Sequence, residues 1–367
     1  MNPTKRLLYI TNDSNWDTDV SILPDVARIF DLEVFCLSPK DPAVRKYRNK
    51  SLPGAKLHDC QFGRSKKDIR MALHSFVYGI RILIASAGKT AVWVLDNNLW
   101  YAYLFIALAS PKNVIVSIHN YTDHTDAKSW SKRIKQSALS KFQFFHFHSS
   151  GQELVFKKDY PDKHSFSTQM PVKDFGCPTE VPSLENKQRR TFLFFGYIRD
   201  YKRPDLFIRA SEILGDKAHF VIAGGGENLE HYKSMITPEN KIESQLRFIE
   251  NREIPDLFCN ADFVVLPYDD STQSGPLLIA YNYNVPVIAS DIPVFCSMVE
   301  DRTTGYLFKK GDCSSLIEAI QNAIDMSGEK YVKMKSALSQ RVEEYKKTSV
   351  FSQALRSFIE TELCSRQ

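Results

Sequence analysis

Arg199 and Lys202 stand three residues apart in a short polar stretch, GYIRDYKR, between an apolar run rich in Phe and an amphipathic run. Cations held in such a loop can neutralise an anion and stabilise charge that grows on a leaving group, the largest contribution a protein can make to that chemistry. A second stretch, FVVLPYDDSTQSGPLLIAYNYNVPVIASD (263–291), points the same way. Its apolar, β-branched runs 263–267 and 285–289 read as buried strands on either side of one short helix. Ser274 and Gly275 are candidate caps, Pro276 suits the first helical position, and Asn284 with Pro286 ends the helix. The loop from Asp269 to Ser274 therefore leads into a helix N-terminus, where backbone N–H groups and the helix dipole favour an anion, phosphate foremost. Gly224–Gly226 end another predicted strand, where glycine either lets backbone approach a ligand or simply turns the chain.

These residues need a scaffold, and alternation supplies it. Predicted strands at 7–10, 32–37, 91–95, 114–118 and 144–148 are separated by helices near 21–30, 67–85, 100–109 and 129–141, with a further short helix after Ser149. Residues 176–190, GCPTEVPSLENKQRR, carry prolines and polar residues without periodicity and read as a linker. A second series follows: strands 191–195, 219–223, 263–267, 285–289 and 306–308, with helices at 204–214, 254–258 and 314–324 and a helical tail from about 330 to 362. Strand–helix–strand crossovers imply parallel sheets and an α/β class. At 367 residues the chain suits two domains of about 180 residues rather than one core. The expected boundaries are 1–175, a linker at 176–190, 191–345, and a last helix over 346–367.

Composition narrows the classes. An apolar fraction of 43% with 25% charged residues is that of a globular protein. The seven cysteines are scattered without metal-ligand spacing, so free thiols in a reducing compartment are expected, with no zinc site. The N-terminal apolar run is too short for a signal-peptide core, and the longest apolar stretch, 99–109, has about half the roughly 20 residues a membrane span needs. The expectation is a cytoplasmic protein, in solution or on the inner face of the membrane. Residues 1–178 hold 25 Lys and Arg against 16 Asp and Glu (+9), whereas the remainder holds 23 against 27 (−4). Segment 62–86 combines Arg64, Lys66, Lys67, Arg70 and Arg81 with an apolar face, which fits either a solvated helix face or contact with anionic lipid. No recognition motif accompanies the charge, so nucleic acid is not an expected partner.

The order FLFFGYIRDYKRPDLFIRASEIL, FVIAGGGEN, REIPDLFCNADFVVLPYDDSTQSG and NVPVIASDIPVFCSMVEDRTTGYLFKKGD resembles the carboxyl-terminal domain of retaining GT-B glycosyltransferases of the GT4-like, group 1 family. The resemblance is strong over about 190–325 and weaker before it, where it rests on layout, on SIHNY and on HFHSS. It implies two Rossmann-like doubly wound domains facing across a cleft, the second binding a nucleotide-sugar donor and the first a glycan or lipid-linked acceptor. It implies that Arg199 and Lys202 hold the diphosphate, that Gly196, Gly224 and Gly225 border it, and that Thr272, Gln273, Ser274 and Gly275 form the donor loop. Ile249 and Glu250 fall in the segment beside the nucleotide base, and His119, at the end of a central strand, resembles the histidine that contacts the transferred sugar. A neutral imidazole there can accept from a sugar hydroxyl or donate to developing charge. His124, His146 and His148 read as structural, and Asn12, Asp13 and Asp17 as an unassigned acceptor loop.

The sequence departs from the family at one place. Members commonly carry two glutamates eight apart across the donor loop and helix. Here those places hold Ser271 and Ile279, or Thr272 and Ala280 in the neighbouring register, so Gln273 and Ser274 would act by neutral hydrogen bonds. The family's usual mechanism is a front-face substitution in which the leaving diphosphate helps deprotonate the acceptor, so no dedicated base is expected. Positive side chains stand in for a metal ion, and no cofactor beyond the donor is expected. Two competing readings are a GT-B type nucleotide-sugar epimerase, which needs acid and base carboxylates, and a non-catalytic sugar-nucleotide-binding or scaffold protein.

Overall fold

The computed structural model describes residues 5–39, 50–62, 69–95, 108, 111–118, 121, 136–179, 189–348 and 351–364. The chain divides into two compact units, one of residues 1–171 with 348–367 and one of residues 172–347.

In the first unit seven parallel strands, β1 (Arg6–Asn12), β2 (Asp31–Pro39), β3 (Ala55–Phe62), β4 (Ala91–Leu95), β5 (Val114–Ile118), β6 (Phe144–Phe147) and β7 (His164–Ser167), lie in the order β3-β2-β1-β4-β5-β6-β7. The central strands are apolar at successive positions because both faces of the sheet are covered. Leu8, Ile10, Val92, Val94, Val114 and Val116 enter one core, while Leu7, Tyr9, Trp93 and Ile115 enter the other. Helices α1 (Trp16–Ile29), α2 (Ile69–Ser86) and α3 (Ser150–Asp159) connect strands, and the late helix Phe351–Phe358 stacks Phe351 on Trp93 with centroids 4.7 Å apart.

The two edge strands β3 and β7 are absent from the sequence-predicted series. Their sequences, AKLHDCQF and HSFS, lack an apolar run. Cross-strand charge anchors β3 instead: Glu33 of β2 receives Lys56 at 3.0 Å and His58 at 2.9 Å, and Lys89 at 2.7 Å from beyond α2. Helix α1 starts earlier than the expected 21–30, since Trp16 is buried in the sheet's second core.

The second unit has six parallel strands, β8 (Thr191–Phe195), β9 (His219–Ala223), β10 (Ile242–Gln245), β11 (Phe263–Leu266), β12 (Val287–Ser290) and β13 (Gly305–Phe308), in the order β10-β9-β8-β11-β12-β13. Around them are α4 (Pro204–Leu214), α5 (Leu229–Met235), α6 (Ile254–Asn260), α7 (Gly275–Asn282), α8 (Pro293–Met298), α9 (Cys313–Ile324) and α10 (Gly328–Thr348). Stacked phenylalanines bind the sheet centre: Phe192 lies 5.5 Å from Phe220 and 5.7 Å from Phe263 across neighbouring strands. The polar edge strand β10, IESQ, and the short helices α5 and α8 are absent from the expected series of this unit. The strand order reverses between β8 and β11, so the loops leaving those two strands diverge from a shared crevice at the sheet's carboxyl edge.

Candidate active site

The first of those two loops is built by its own backbone. Gly196 has φ 115°, Ile198 N–H donates to the Gly225 carbonyl at 2.8 Å, and Glu227 N–H donates to the Ile198 carbonyl at 2.9 Å. Asp200–Lys202 form a 3-10 turn, and Arg203, at φ 53°, redirects the chain into α4. Arg203 secures that turn by donating to both Asp205 oxygens, at 2.9 and 2.8 Å, and reaches Asp269 of the second loop at 3.3 Å. The bond from Asp269 N–H to the Tyr201 carbonyl, 2.7 Å, ties the two loops directly. Arg203 was not among the expected site residues, and the Arg-Pro-Asp sequence that opens α4 is the signal for it. Its guanidinium is held above its usual range, first by the Asp205 hydrogen bond.

This framework presents Lys202 and Arg199. Lys202 is 8% exposed, lies 5.3 Å from the centre of the Tyr268 ring, and forms no ion pair with a described carboxylate. Burial, then the charge of Arg199, pulls its pKa down to about 8. Arg199 lies over Tyr197 with its Cζ 5.2 Å from the ring centre, and its Nε is 3.6 Å from Glu227 Oε1. That is an ion-pair distance rather than a hydrogen bond, and Arg199 Nε is buried with no hydrogen-bond partner. The Tyr201 hydroxyl faces Arg199, and burial raises its pKa.

The second loop supplies the opposing wall. Tyr268, 1% exposed, has a buried hydroxyl beside the Ser274 side chain that reaches no hydrogen-bond geometry with it. Ser274 caps α7 by accepting from Leu277 N–H at 3.3 Å, and Ser271 Oγ donates to the Gln273 carbonyl at 2.5 Å, closing the turn that also carries half-buried Thr272. Both side-chain atoms of Gln273, Oε1 and Nε2, are buried without a partner. Gly275 is the first helical residue and Pro276 the second, one position later than the sequence suggests. The shift is neutral because none of the first N–H groups of a helix has an internal partner. A Cβ placed on Gly196 would stand 3.2 Å from Pro276 Cγ and 3.5 Å from Lys202 Nζ, so the glycine, the ammonium and the helix start converge. Lys173 adds a cation there, with Nζ 4.0 Å from a Cβ placed on Gly275, and nothing in its sequence context announces it.

The other expected residues divide. Gly224 and Gly226 meet the chain's own backbone: a Cβ on Gly224 would overlap the Gly196 carbonyl and one on Gly226 the Ile198 carbonyl, so these glycines let the β8 loop dock. Gly225 abuts the Phe248 backbone, 3.2 Å from its would-be Cβ to N, which brings the segment after β10 to the same edge. Within that segment Ile249 is buried and Glu250 pairs with Arg252 at 2.9 Å while capping the 3-10 turn Asn251–Glu253. His119 lies outside the described residues, as does His124.

In the first unit, Asn12 Oδ1 accepts from Ser14 and Asn15 N–H at 2.8 and 3.2 Å, and Asp17 Oδ1 accepts from Thr18 N–H at 3.0 Å. Asp13 pairs at 2.6 Å with Lys50, which also donates to Ser38 at 2.8 Å. These side chains are engaged in shaping their own loop. His146 bonds Ser117 at 2.5 Å and Thr168 at 2.8 Å, and burial drives its pKa down to about 3, so it is a neutral core residue. Among the described residues no three His, Cys, Asp or Glu side chains gather to hold a metal ion.

Comparison with known proteins agrees with this geometry. Residues 189–326 match the family described as Glycosyl transferases group 1. An uncharacterized 41.2 kDa protein from the cps region of Klebsiella pneumoniae is 23% identical over 136 residues, a match that takes in 37% of this chain and 37% of that protein. Several solved structures are similar over nearly the whole chain. Sucrose-phosphate synthase of Thermosynechococcus elongatus has a TM-score of 0.70 at 13% identity, over 99% of this chain and all (100%) of that one. Anabaena HepE, in complex with UDP and glucose, gives 0.71 at 12%, over 97% and 100%. The catalytic domain of starch synthase IV from Arabidopsis thaliana, bound to ADP and acarbose, gives 0.69 at 13%, over 99% and 100%. At such identities the likeness shows the fold. Residues 189–326 match a glycosyl transferases group 1 domain, and the chain has the GT-B fold of these structures.

Proposed function

We propose that the chain is a retaining glycosyltransferase that moves a sugar from a nucleotide-sugar donor to a hydroxyl of a glycan or glycolipid in surface polysaccharide biosynthesis. One observation carries this reading. Lys202, Arg199 Nε, the Tyr268 hydroxyl and both polar atoms of Gln273 are buried at one switch point without the partners that buried polar groups normally have. Unpaired groups of that kind are costly unless a ligand satisfies them, and two cations with a helix N-terminus are matched by a diphosphate.

In this reading Lys202 and Arg199 hold the diphosphate together with N–H groups from Ser274 and Gly275, and Gln273 bonds a sugar hydroxyl. Ile249 and Glu250 border the base. Donor residues belong to 191–345 and acceptor residues to 1–175. As the bond from the anomeric carbon to the phosphate oxygen breaks, the acceptor oxygen attacks from the same face and its proton passes to the departing phosphate oxygen. The two cations stabilise the charge that this transfer leaves behind. The nucleotides named with HepE and starch synthase IV support a uridine or adenosine diphosphate donor, and the cps-region relative supports a capsule-type product. The reading puts the protein in the cytoplasm, at the inner face of the membrane that bears a lipid-linked acceptor.

The test is transfer itself: radiolabelled UDP-, GDP- and ADP-sugars are offered with polyprenyl-linked and soluble glycan acceptors, and the product's anomeric configuration is read by NMR. Transfer with the donor's configuration kept supports the proposal, and an inverted product contradicts it. Donor binding without transfer to any acceptor, or interconversion of the donor sugar, would favour the scaffold and epimerase readings respectively.

A further inference from the structure

Helix α2 is apolar on two opposite faces. One face belongs to the core of the first unit: Ile82 is fully buried, with Tyr78, Leu83 and Ala85 packed beside it against the sheet. The other face is bare. Phe76, Val77, Ile80 and Ile84 are 52%, 45%, 40% and 70% exposed, and at 3.6 residues per turn they fall within an arc of about 100°. Four large apolar side chains on one face of one surface helix are far from the singly scattered exposure that any soluble protein tolerates.

The charge around that face is one-sided. The helix carries Arg81 on the flank of the stripe and no acidic residue from Ile69 to Ser86. Arg81 is exposed and folds its guanidinium over Tyr78 at 5.5 Å, so it stands at the rim with its stem on apolar surface. Residues 1–178 as a whole carry the +9 excess. A protein partner could present an apolar groove, but nothing about the stripe demands a shaped one, while the cationic rim matches a surface of fixed anions. No helix among the described residues is long and apolar enough to cross a membrane, so α2 can lie on a bilayer and cannot span it.

We propose that this face of α2 docks on an anionic lipid bilayer, with Phe76, Val77, Ile80 and Ile84 entering the headgroup and acyl boundary and Arg81 meeting lipid phosphates. The inference rests on the functional reading above for its purpose, since a docked enzyme would meet a lipid-linked acceptor in two dimensions, but it is tested without any turnover.

The purified chain is sedimented with vesicles of phosphatidylcholine alone and of phosphatidylcholine with phosphatidylglycerol. The expected result is binding to the anionic vesicles, more than tenfold weaker for Phe76→Glu with Ile84→Glu, and roughly fivefold weaker for Arg81→Gln, the value of one charge near an anionic surface. Both changes of partition are compared with thermal midpoints, which should match the parent because these side chains are exposed. Equal partition to both vesicle types, or binding untouched by the glutamates, overturns the proposal. So does sedimentation velocity showing that the stripe is covered by a second copy, with a dimer that Phe76→Glu and Ile84→Glu dissociate. Stabilisation by a nucleotide-sugar donor, measured on the same variants, reports separately on the donor site, so a failure there is not confused with a failure here.

Discussion

The ammonium of Lys202 stands 5.3 Å from the centre of the Tyr268 ring, one side chain 8% and the other 1% exposed, with no described carboxylate paired to the cation. A charge so placed is costly to bury, and its lowered pKa states that cost. The arrangement makes sense as half of an interaction whose other half is an anion.

A pH dependence follows with a definite sign. Lys202 titrates near 8 in the folded chain, below its unfolded value, so the unfolded state binds more protons between those two values. Without ligand, the contribution of this group to stability therefore rises as pH climbs through 8 toward the unfolded pKa. A diphosphate needs the ammonium, so donor affinity should fall as pH rises above 8, and calorimetry in buffers of different ionisation enthalpy should report proton uptake on binding near that pH. Lys202→Gln should abolish the uptake. Affinity flat from pH 7 to about 9.5 would remove Lys202 from the site.

Gln273 should show a trade of stability against binding. Its two buried polar atoms lack partners, and an unsatisfied buried group costs about 1–3 kcal/mol. Gln273→Met keeps the volume and removes the burden, so the unliganded protein should gain about 1 kcal/mol in denaturant unfolding while donor affinity drops about tenfold. A variant that loses stability would mean that the amide has a partner within the fold.

Two glycines should separate folding from binding. Gly224 has φ 150° and no room for a Cβ against the Gly196 carbonyl, so Gly224→Ala should cost about 3 kcal/mol or prevent folding. Gly275 has its nearest neighbour 4.0 Å away, so Gly275→Ala should leave stability within about 0.5 kcal/mol, yet push a methyl toward the diphosphate and weaken donor binding. Thermal unfolding with and without donor checks both.

The first unit carries an acid-sensitive residue. His146 is neutral down to about pH 3 in the folded chain, whereas an unfolded histidine takes its proton near 6.5. The unfolded state thus binds the extra proton in that window, and stability should fall as pH drops from 6.5, by up to about 1.4 kcal/mol per pH unit from this residue. His146→Gln should flatten the slope while costing stability at pH 7 through its Ser117 and Thr168 bonds.

What the sequence disclosed and what it withheld follow from where free energy is held. Buried parallel strands such as Thr191–Phe195 and Val114–Ile118 are apolar at nearly every position, so composition alone marks them. The edge strands Ala55–Phe62, His164–Ser167 and Ile242–Gln245 are held by ladder bonds and cross-strand charge, which leave no periodicity to see. At the site, Arg199, Lys202 and the Gln273–Gly275 turn were legible because strand, loop and helix caps lie within a few residues of one another. Arg203, which joins Asp205 to Asp269, and Lys173, which approaches Gly275 from about a hundred positions away, depend on contacts that only folding makes. The role of Gly224 was readable as a glycine requirement but not as to its cause, because the neighbour it spares is the Gly196 carbonyl.

The most direct measurement is a thermal-shift and calorimetric panel of UDP-, GDP- and ADP-sugars on the parent chain and on the Arg199→Ala, Lys202→Ala variant. A donor at about 100 times its dissociation constant should stabilise the parent by roughly 2.7 kcal/mol and leave the variant unmoved. Equal stabilisation of parent and variant, or none of the parent by any donor, would contradict the assignment of these two cations to the diphosphate.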